Sequence, residues 1–287
     1  MNGFTTLAGG RDLLAHIDDP DWRIFDCRHD LSNPLHGRNA YVRGHVPGAH
    51  FLHLDDDLSG PKTGANGRHP LPAPHWLAAR LAANGLNAGD QVVAYDDSGG
   101  TFAVRLWWML RWLGHERVAV LDGGLAAWKR AGGTLTTEAP AAMHGNFLPR
   151  PHNDMRVEAE FVRSRLGAAG TLVVDARAPE RFSGKSEPLD PVGGHIPGAV
   201  NRFYMENLDD LQCFRPADEL RAEFAELIGN RGPGDIVHSC GSGVTACHNI
   251  LAMEIAGLKG SRLYGGSWSE WCADPSRPVA TGVELKT

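Results

Sequence analysis

Chemistry in this chain gathers at Ile236-Val237-His238-Ser239-Cys240-Gly241-Ser242-Gly243-Val244-Thr245-Ala246. One cysteine opens a short loop containing two glycines, behind an apolar pair and ahead of an apolar run that reaches Ile255. A thiol there is a nucleophile only as its thiolate. With a pKa near 8.5 it is about 3% ionised at neutral pH, and bringing it to about 6.5 takes about 2.7 kcal/mol of preferential stabilisation. A helix N-terminus supplies about 0.3–1 kcal/mol of that. Gly241 and Ser242 bring no cation, so the remainder falls to loop N–H groups aimed at the sulfur. The competing reading is an inert buried cysteine at a strand end. The glycine-flanked turn between strand and helix favours the reactive one.

The elements that must hold this loop can be read on either side of it. Ile236 and Val237 end a buried strand, and His248 to Ile255 reads as an amphipathic helix. A repeat then organises the whole chain. Arg23-Ile24-Phe25-Asp26-Cys27-Arg28 is answered by Leu172-Val173-Val174-Asp175-Ala176-Arg177, with Asp26 and Asp175 separated by 149 residues (175 − 26). Gly44-His45-Val46-Pro47-Gly48-Ala49 is answered by Gly194-His195-Ile196-Pro197-Gly198-Ala199, at an offset of 150 (195 − 45). Gly89-Asp90 matches Gly234-Asp235, and Leu121-Asp122-Gly123-Gly124 with Trp128 matches Leu263-Tyr264-Gly265-Gly266 with Trp271. Four landmarks in one order mean a duplicated domain, at a period far too long for a solenoid. Short apolar strands alternate with helical stretches such as Trp76 to Ala83 and Phe102 to Trp112. This predicts two α/β domains, each a parallel sheet with helices on both faces. The loop then lies at the carboxyl end of a strand, where such sheets bind ligands. The polar, Pro-containing stretch from Thr136 to Asn153 joins the copies, giving expected ranges of 1–140, a linker over 141–155, and 156–287.

Composition narrows the function. The 287 residues are 42% hydrophobic and 22% charged, room enough for two ordinary cores. A net charge of −6 argues against non-specific nucleic-acid binding. No apolar run is long enough to span a bilayer, and no basic region followed by a hydrophobic core marks the N-terminus, so a cytoplasmic protein without a membrane partner is expected. Cys27, Cys213, Cys240, Cys247 and Cys272 are odd in number and scattered, which suits a reducing compartment. Neither a Cys-x-x-Cys nor a ligand-spaced histidine pattern occurs, so no zinc or other metal site is expected. Cys247, seven residues after Cys240, reads as packing.

The Cys240–Ala246 loop resembles the active-site loop of the rhodanese superfamily, in the form found in its mercaptopyruvate branch. The thiosulfate branch usually has basic residues directly after the cysteine. The resemblance extends over nearly the whole chain, including Arg105-Leu106-Trp107-Trp108-Met109 and Gly266-Ser267-Trp268. It implies two tandem rhodanese-like domains and sulfur transfer through a persulfide on Cys240, with no cofactor. The implied partners are a small-molecule sulfur donor and a thiol acceptor, such as thioredoxin or another low-molecular-weight thiol, or cyanide. Val93-Ala94-Tyr95-Asp96 aligns with Val237-His238-Ser239-Cys240, and a carboxylate cannot accept sulfur, so the first copy is expected to be catalytically silent. Alternatives are thiosulfate as donor and a persulfide relay serving a dedicated protein acceptor. Cysteine-dependent phosphatases have a similar loop with an arginine six positions after the cysteine. Here Ala246 stands there, and a phosphoryl group would lose its bidentate clamp.

The resemblance also assigns neighbours to the thiol. Arg181 matches the arginine that binds the donor's anionic group, beside loop residues Gly241, Gly243, Val244 and Thr245. Ser242 matches a serine proposed to work with a histidine and an aspartate of the N-terminal domain, here His69 and Asp55, with Asp56 and Asp57 competing for the last place. Such a set can carry a proton to the pyruvate enolate as sulfur leaves. Arg177 and Arg28 read as anchors of their own copies. The mercaptopyruvate branch commonly has a second carboxylate-binding arginine nine residues after the first. Asp190 stands there and would repel a carboxylate if it pointed into the cleft, and Arg202 is one residue that could compensate.

Overall fold

The structure, a computed structural model, describes residues 3–141, 144–168 and 170–282. Each half of the chain builds a five-stranded sheet in which every strand pair is parallel. The first contains β1 (Leu7–Ala8), β2 (Trp22–Asp26), β3 (His50–Phe51), β4 (Gln91–Tyr95) and β5 (Val118–Leu121), in the order β1-β5-β4-β2-β3. Its helices are α1 (Gly10–Ala15), α2 (His36–Arg43), α3 (Pro74–Ala83), α4 (Ala103–Trp112) and α5 (Gly124–Arg130). The second contains β6 (Arg156–Val157), β7 (Leu172–Asp175), β8 (Val200–Asn201), β9 (Ile236–Ser239) and β10 (Arg262–Tyr264), in the order β6-β10-β9-β7-β8. Its helices are α6 (Ala159–Arg163), α7 (Pro179–Phe182), α8 (Ala217–Ile228), α9 (Ala246–Ile255) and α10 (Ser267–Trp271). Helices cover both faces of such a sheet, so central strands read as unbroken apolar runs. All of β4 and β9 is buried.

The strand registers bear out the repeat. Asp26 pairs with Tyr95 in the first sheet and Asp175 with Ser239 in the second, so the residues that follow, Asp96 and Cys240, hold equivalent places. The His-x-Pro-Gly turns are equally matched. His45 stacks on Tyr41 and His195 on Phe182, each with ring centroids 3.8 Å apart. Gly48 and Gly198 close these turns at φ of +76° and +79°, a conformation side-chain-bearing residues rarely adopt.

Packing departs from chain order at two places. One compact unit comprises 3–60, 72–152 and 209–214 within the described residues, and the other 61–71, 153–208 and 215–282. Pro61–Leu71, expected within the first copy, therefore belongs to the second unit, and Asp209–Phe214 belongs to the first. The ends of the expected ranges, residues 1–2 and 283–287, and linker residues 142 and 143 lie outside the described residues.

One helix differs from its expected character. α9 was read as amphipathic, yet Ala246 to Met253 are all buried. The polar residues of that run are satisfied inside the unit: Asn207 Nδ2 donates to Asn249 Oδ1 at 2.7 Å and lies 3.2 Å from His248 Nδ1. Among the described residues, no helix is long and apolar enough to cross a membrane.

His238 on β9 ties the fold to pH. It is fully buried, with Nε2 3.2 Å from Met253 Sδ and Nδ1 without a hydrogen-bond partner among the described residues, and burial pushes its pKa down to about 3. An unfolded histidine titrates near 6.5. The unfolded chain therefore binds a proton that the folded chain excludes. This stability is complete above about pH 6.5 and is lost, by up to about 1.4 kcal/mol per pH unit, as pH falls towards 3. Urea unfolding at about pH 7.5 and about pH 4.5 should show that His238→Leu removes about 2–3 kcal/mol of the acid-induced loss. An identical loss in both proteins would place the acid sensitivity elsewhere.

Candidate active site

Cys240 follows β9 directly and is buried. The first turn of α10 fixes the start of its loop. Trp268 N–H donates to the Cys240 carbonyl and Ser269 N–H to that of Gly241, both at 2.9 Å, while Ser267 Oγ accepts the Cys240 N–H at 3.1 Å. Ser267 makes that contact from a left-handed φ of 53°, a conformation that costs about 1–3 kcal/mol. With two carbonyls drawn away towards α10, the chain curls so that Gly243 N–H donates to Cys240 Sγ at 3.1 Å. Gly243 has φ of +77° and permits the curl. The loop then runs through buried Val244 and half-buried Thr245 into the N-terminus of α9. Cys247 sits one turn along, its Sγ–H donating to the Gly243 carbonyl at 3.4 Å, which braces the loop from behind.

The first copy shows what the same loop does without a thiol. Asp96 is fully buried, and its carboxylate accepts N–H groups from Ser98, Gly100, Phe102 and Ala103 at 2.8–2.9 Å. Burial pushes its pKa up, and these four donors oppose the shift. The loop's donors are thus occupied by the loop's own side chain.

Two groups able to exchange a proton meet at Ser242, two residues after Cys240. Ser242 Oγ lies 2.7 Å from His69 Nδ1, and both residues are buried. His69 reaches this place on the Pro61–Leu71 segment of the same unit. That segment is seated closely: Arg68 N–H donates to Ser269 Oγ at 3.0 Å, and a Cβ on Gly67 would come within 2.8 Å of the Gly266 carbonyl. Asp55 belongs to the other unit, in the turn after β3, with Oδ2 4.0 Å from His29 Nε2. Its two competitors are separated by local geometry. Asp57 accepts the His53 N–H at 2.7 Å and pairs with Arg80 at 2.6 Å, which closes the turn, whereas Asp56 is largely exposed. His29, His53 and Asp55 bring ligand-type atoms within 4.8 Å of one another. However, His53 Nε2 is 2.8 Å from the Pro34 carbonyl and its Nδ1 accepts the amides of Asp55 and Asp56, so neither nitrogen is directed at a metal.

A chain of alternating charges approaches the loop from α7. Arg177 is buried, grips Asp175 with a shortest contact of 2.7 Å, donates to the Gly194 carbonyl at 2.7 Å and lies over the Trp268 ring. Arg28 repeats this in the first copy with Asp26 and the Gly44 carbonyl. Both arginines are anchors, as read from the sequence. Glu187 links Arg177, at 3.2 Å, to Arg181, at 2.7 Å, and its two arginines and the Leu189 N–H hold its pKa below the usual carboxylate range despite burial. Arg181 Nη2 continues to Asp190 at 3.4 Å, and Asp190 also pairs with Arg68. A Cβ on Gly241 would lie 2.8 Å from Arg68 Nη2 and 3.3 Å from Arg181 Nη2.

Asp190 would repel a carboxylate if it pointed into the cleft, and here its side chain is buried and taken up by two arginines. Arg202 is held by Glu206 at 3.1 Å and Glu223 at 2.6 Å, which engages it in a separate cluster. Sequence reasoning missed Arg68 and Glu187. A signal for Arg68 was present, because a carboxylate where an arginine is usual calls for a compensating cation, and Arg68 adjoins His69.

The chain matches the model of the rhodanese-like domain twice, over residues 10–131 and 158–274. It is 47% identical to a Pseudomonas aeruginosa protein named "Probable 3-mercaptopyruvate sulfurtransferase", over 96% of this chain and 98% of that one. It is 33% identical to a thiosulfate sulfurtransferase of the same organism, over 93% of this chain and 94% of that one. A solved structure of 3-mercaptopyruvate sulfurtransferase from Leishmania major superposes with a TM-score of 0.84 at 30% identity, covering 96% of this chain and 75% of the other. The curled cysteine loop, the doubled parallel sheet and these matches together place the chain in the rhodanese family, whose domain it carries as two tandem copies.

Proposed function

We propose that the chain is a sulfurtransferase that moves a sulfane sulfur from 3-mercaptopyruvate, through a persulfide on Cys240, to a thiol or to cyanide. The observation that carries this reading is the Ser242–His69 contact beside a loop thiol whose Sγ already accepts an amide N–H. The Cys240 thiolate attacks the donor sulfur. The Sγ–S bond forms as the carbon–sulfur bond breaks, and the bonding pair departs with the pyruvate enolate. Ser242 and His69 pass a proton to the enolate carbon, with Asp55 as the proposed third member, and recover one from the acidic persulfide. The donor's S–H proton thus ends in the methyl group of pyruvate. An acceptor thiolate then attacks the outer sulfur, and the electron pair of the broken S–S bond returns to Cys240. Thioredoxin or a low-molecular-weight thiol suits this second step. Gly241, Gly243, Val244 and Thr245 shape the cradle around the transferred sulfur. The first copy, 1–140, acts as a silent domain.

Charge favours this donor over thiosulfate. Arg68, Arg181, Glu187 and Asp190 sum to zero formal charge beside Gly241, and the loop adds no cation of its own. A dianion whose charge sits next to the transferred sulfur gains little there, whereas a single carboxylate a few atoms away can meet individual N–H groups. Thiosulfate also has no use for the proton that Ser242 and His69 can deliver.

Two measurements test the proposal. Cys240→Ser should abolish transfer while leaving the thermal midpoint close to wild type, and donor treatment of the wild type should add one sulfur mass that cyanide or dithiothreitol removes. An active serine variant would end the mechanism. Side-by-side kinetics should give a kcat/KM for mercaptopyruvate at least about tenfold above that for thiosulfate, or about 1.4 kcal/mol in the barrier. A preference for thiosulfate would show that local charge does not select the donor.

A further inference from the structure

Binding a carboxylate beside Cys240 needs N–H groups that protein carboxylates have not already taken. Arg181 gives Nε and Nη2 to Glu187 and Asp190, and its Nη1 hydrogen-bonds no other described residue. Arg68 gives Nη1 to Asp190, leaving Nε and Nη2 without a hydrogen bond among the described residues. The uncommitted ends converge on one spot, since a Cβ built on Gly241 would lie 2.8 Å from Arg68 Nη2 and 3.5 Å from Arg181 Nη1. Gly241 is the residue directly after Cys240 and has no side chain to fill that spot. Asp190 holds both guanidinium groups in register and is itself buried. Arg202, the other candidate cation, is held between Glu206 and Glu223.

We propose that Arg68 is the second donor-binding residue of this site, tethered by Asp190, so that one N–H edge from Arg68 and one from Arg181 clamp the carboxylate of the sulfur donor over Gly241. The clamp differs from a pair of arginines on one segment. Its second cation comes from Pro61–Leu71, the segment that also brings His69, and a carboxylate occupies the position where an arginine would otherwise stand. The neighbouring Arg68 and His69 then divide the work: one holds the end of the donor that keeps its charge, the other serves the end that gains a proton. Arg68 sets affinity for a charged donor and leaves the sulfur chemistry to Cys240.

This inference rests on mercaptopyruvate being the donor, and the test separates the two. Arg68→Gln, which keeps hydrogen-bonding capacity and removes charge, should raise KM for mercaptopyruvate by about tenfold or more while kcat stays within about twofold. Persulfide formation from the methyl ester of mercaptopyruvate, which carries no carboxylate charge, should stay within about twofold of wild type in the same variant. Adding Asp190→Arg to Arg68→Gln should bring KM back to within about threefold of wild type, because the cation returns from the other segment. A wild type that uses mercaptopyruvate beside an Arg68→Gln variant with unaltered KM overturns the inference alone. So does a variant that loses thermal stability and activity towards both donors in parallel, since that marks a merely structural role. A wild type that transfers sulfur from other donors and ignores mercaptopyruvate overturns the donor reading, and this inference with it.

Discussion

The site depends on a buried ion pair that touches no reacting atom. Arg177 grips Asp175 at the end of β7 and the Gly194 carbonyl at the entrance of the His-Ile-Pro-Gly turn, with the Trp268 ring against its face. One side chain thereby joins a central strand, a turn and the first residues of α10, which in turn clamp the carbonyls of Cys240 and Gly241. Breaking such a pair from one side leaves an uncompensated buried charge, at a cost of about 3–5 kcal/mol. The same residue starts the alternating series through Glu187, Arg181 and Asp190 to Arg68. Rigidity at the centre of the sheet is in this way passed outwards to the cations beside the loop.

The two copies form a natural comparison, since their sheets share one strand order and their anchors repeat. Arg28, Asp26 and the Gly44 carbonyl repeat the anchor, and β4 ends in the same register as β9. The loops differ in occupant and by one residue in length, since α4 starts seven residues after Asp96 (103 − 96) and α9 six after Cys240 (246 − 240). In the first copy four amide hydrogens converge on Asp96, an acceptor fixed to the chain. In the second, Cys240 Sγ takes a single amide hydrogen among the described residues, from Gly243. Asp96 fills its cradle from within, whereas among the described residues Cys240 takes up fewer of the donors of its own.

Much of this was legible from local pattern. The duplicated Asp-x-Arg and His-x-Pro-Gly landmarks gave both sheets their frames, and the strand–loop–helix around Cys240 followed from an apolar pair, two glycines and an apolar run. What stayed hidden depends on packing across long chain separations. Arg68 and Asp190 lie 122 residues apart, and the one pointer to their meeting, a carboxylate where an arginine is usual, does not say which cation answers it. The buried polar face of α9 was hidden likewise, because Asn249 and His248 count as exposed until Asn207 arrives from 41 and 42 residues away. The assignment of Pro61–Leu71 to the second unit was invisible to any reading that took the repeat as a boundary.

That exchanged segment has a consequence for how the protein is made. Residues 61–71 leave the ribosome well before the elements they pack with, since α10 ends at Trp271, 200 residues after Leu71 (271 − 71). At about 5–20 residues per second, the segment waits about 10–40 s for its site to exist. During that interval the first sheet can close around α3 and β4 with an eleven-residue excursion (61–71) left unfilled between β3 and α3. Translation therefore supplies His69 long before Ser242, the residue it meets, and their contact cannot form until the second copy has emerged.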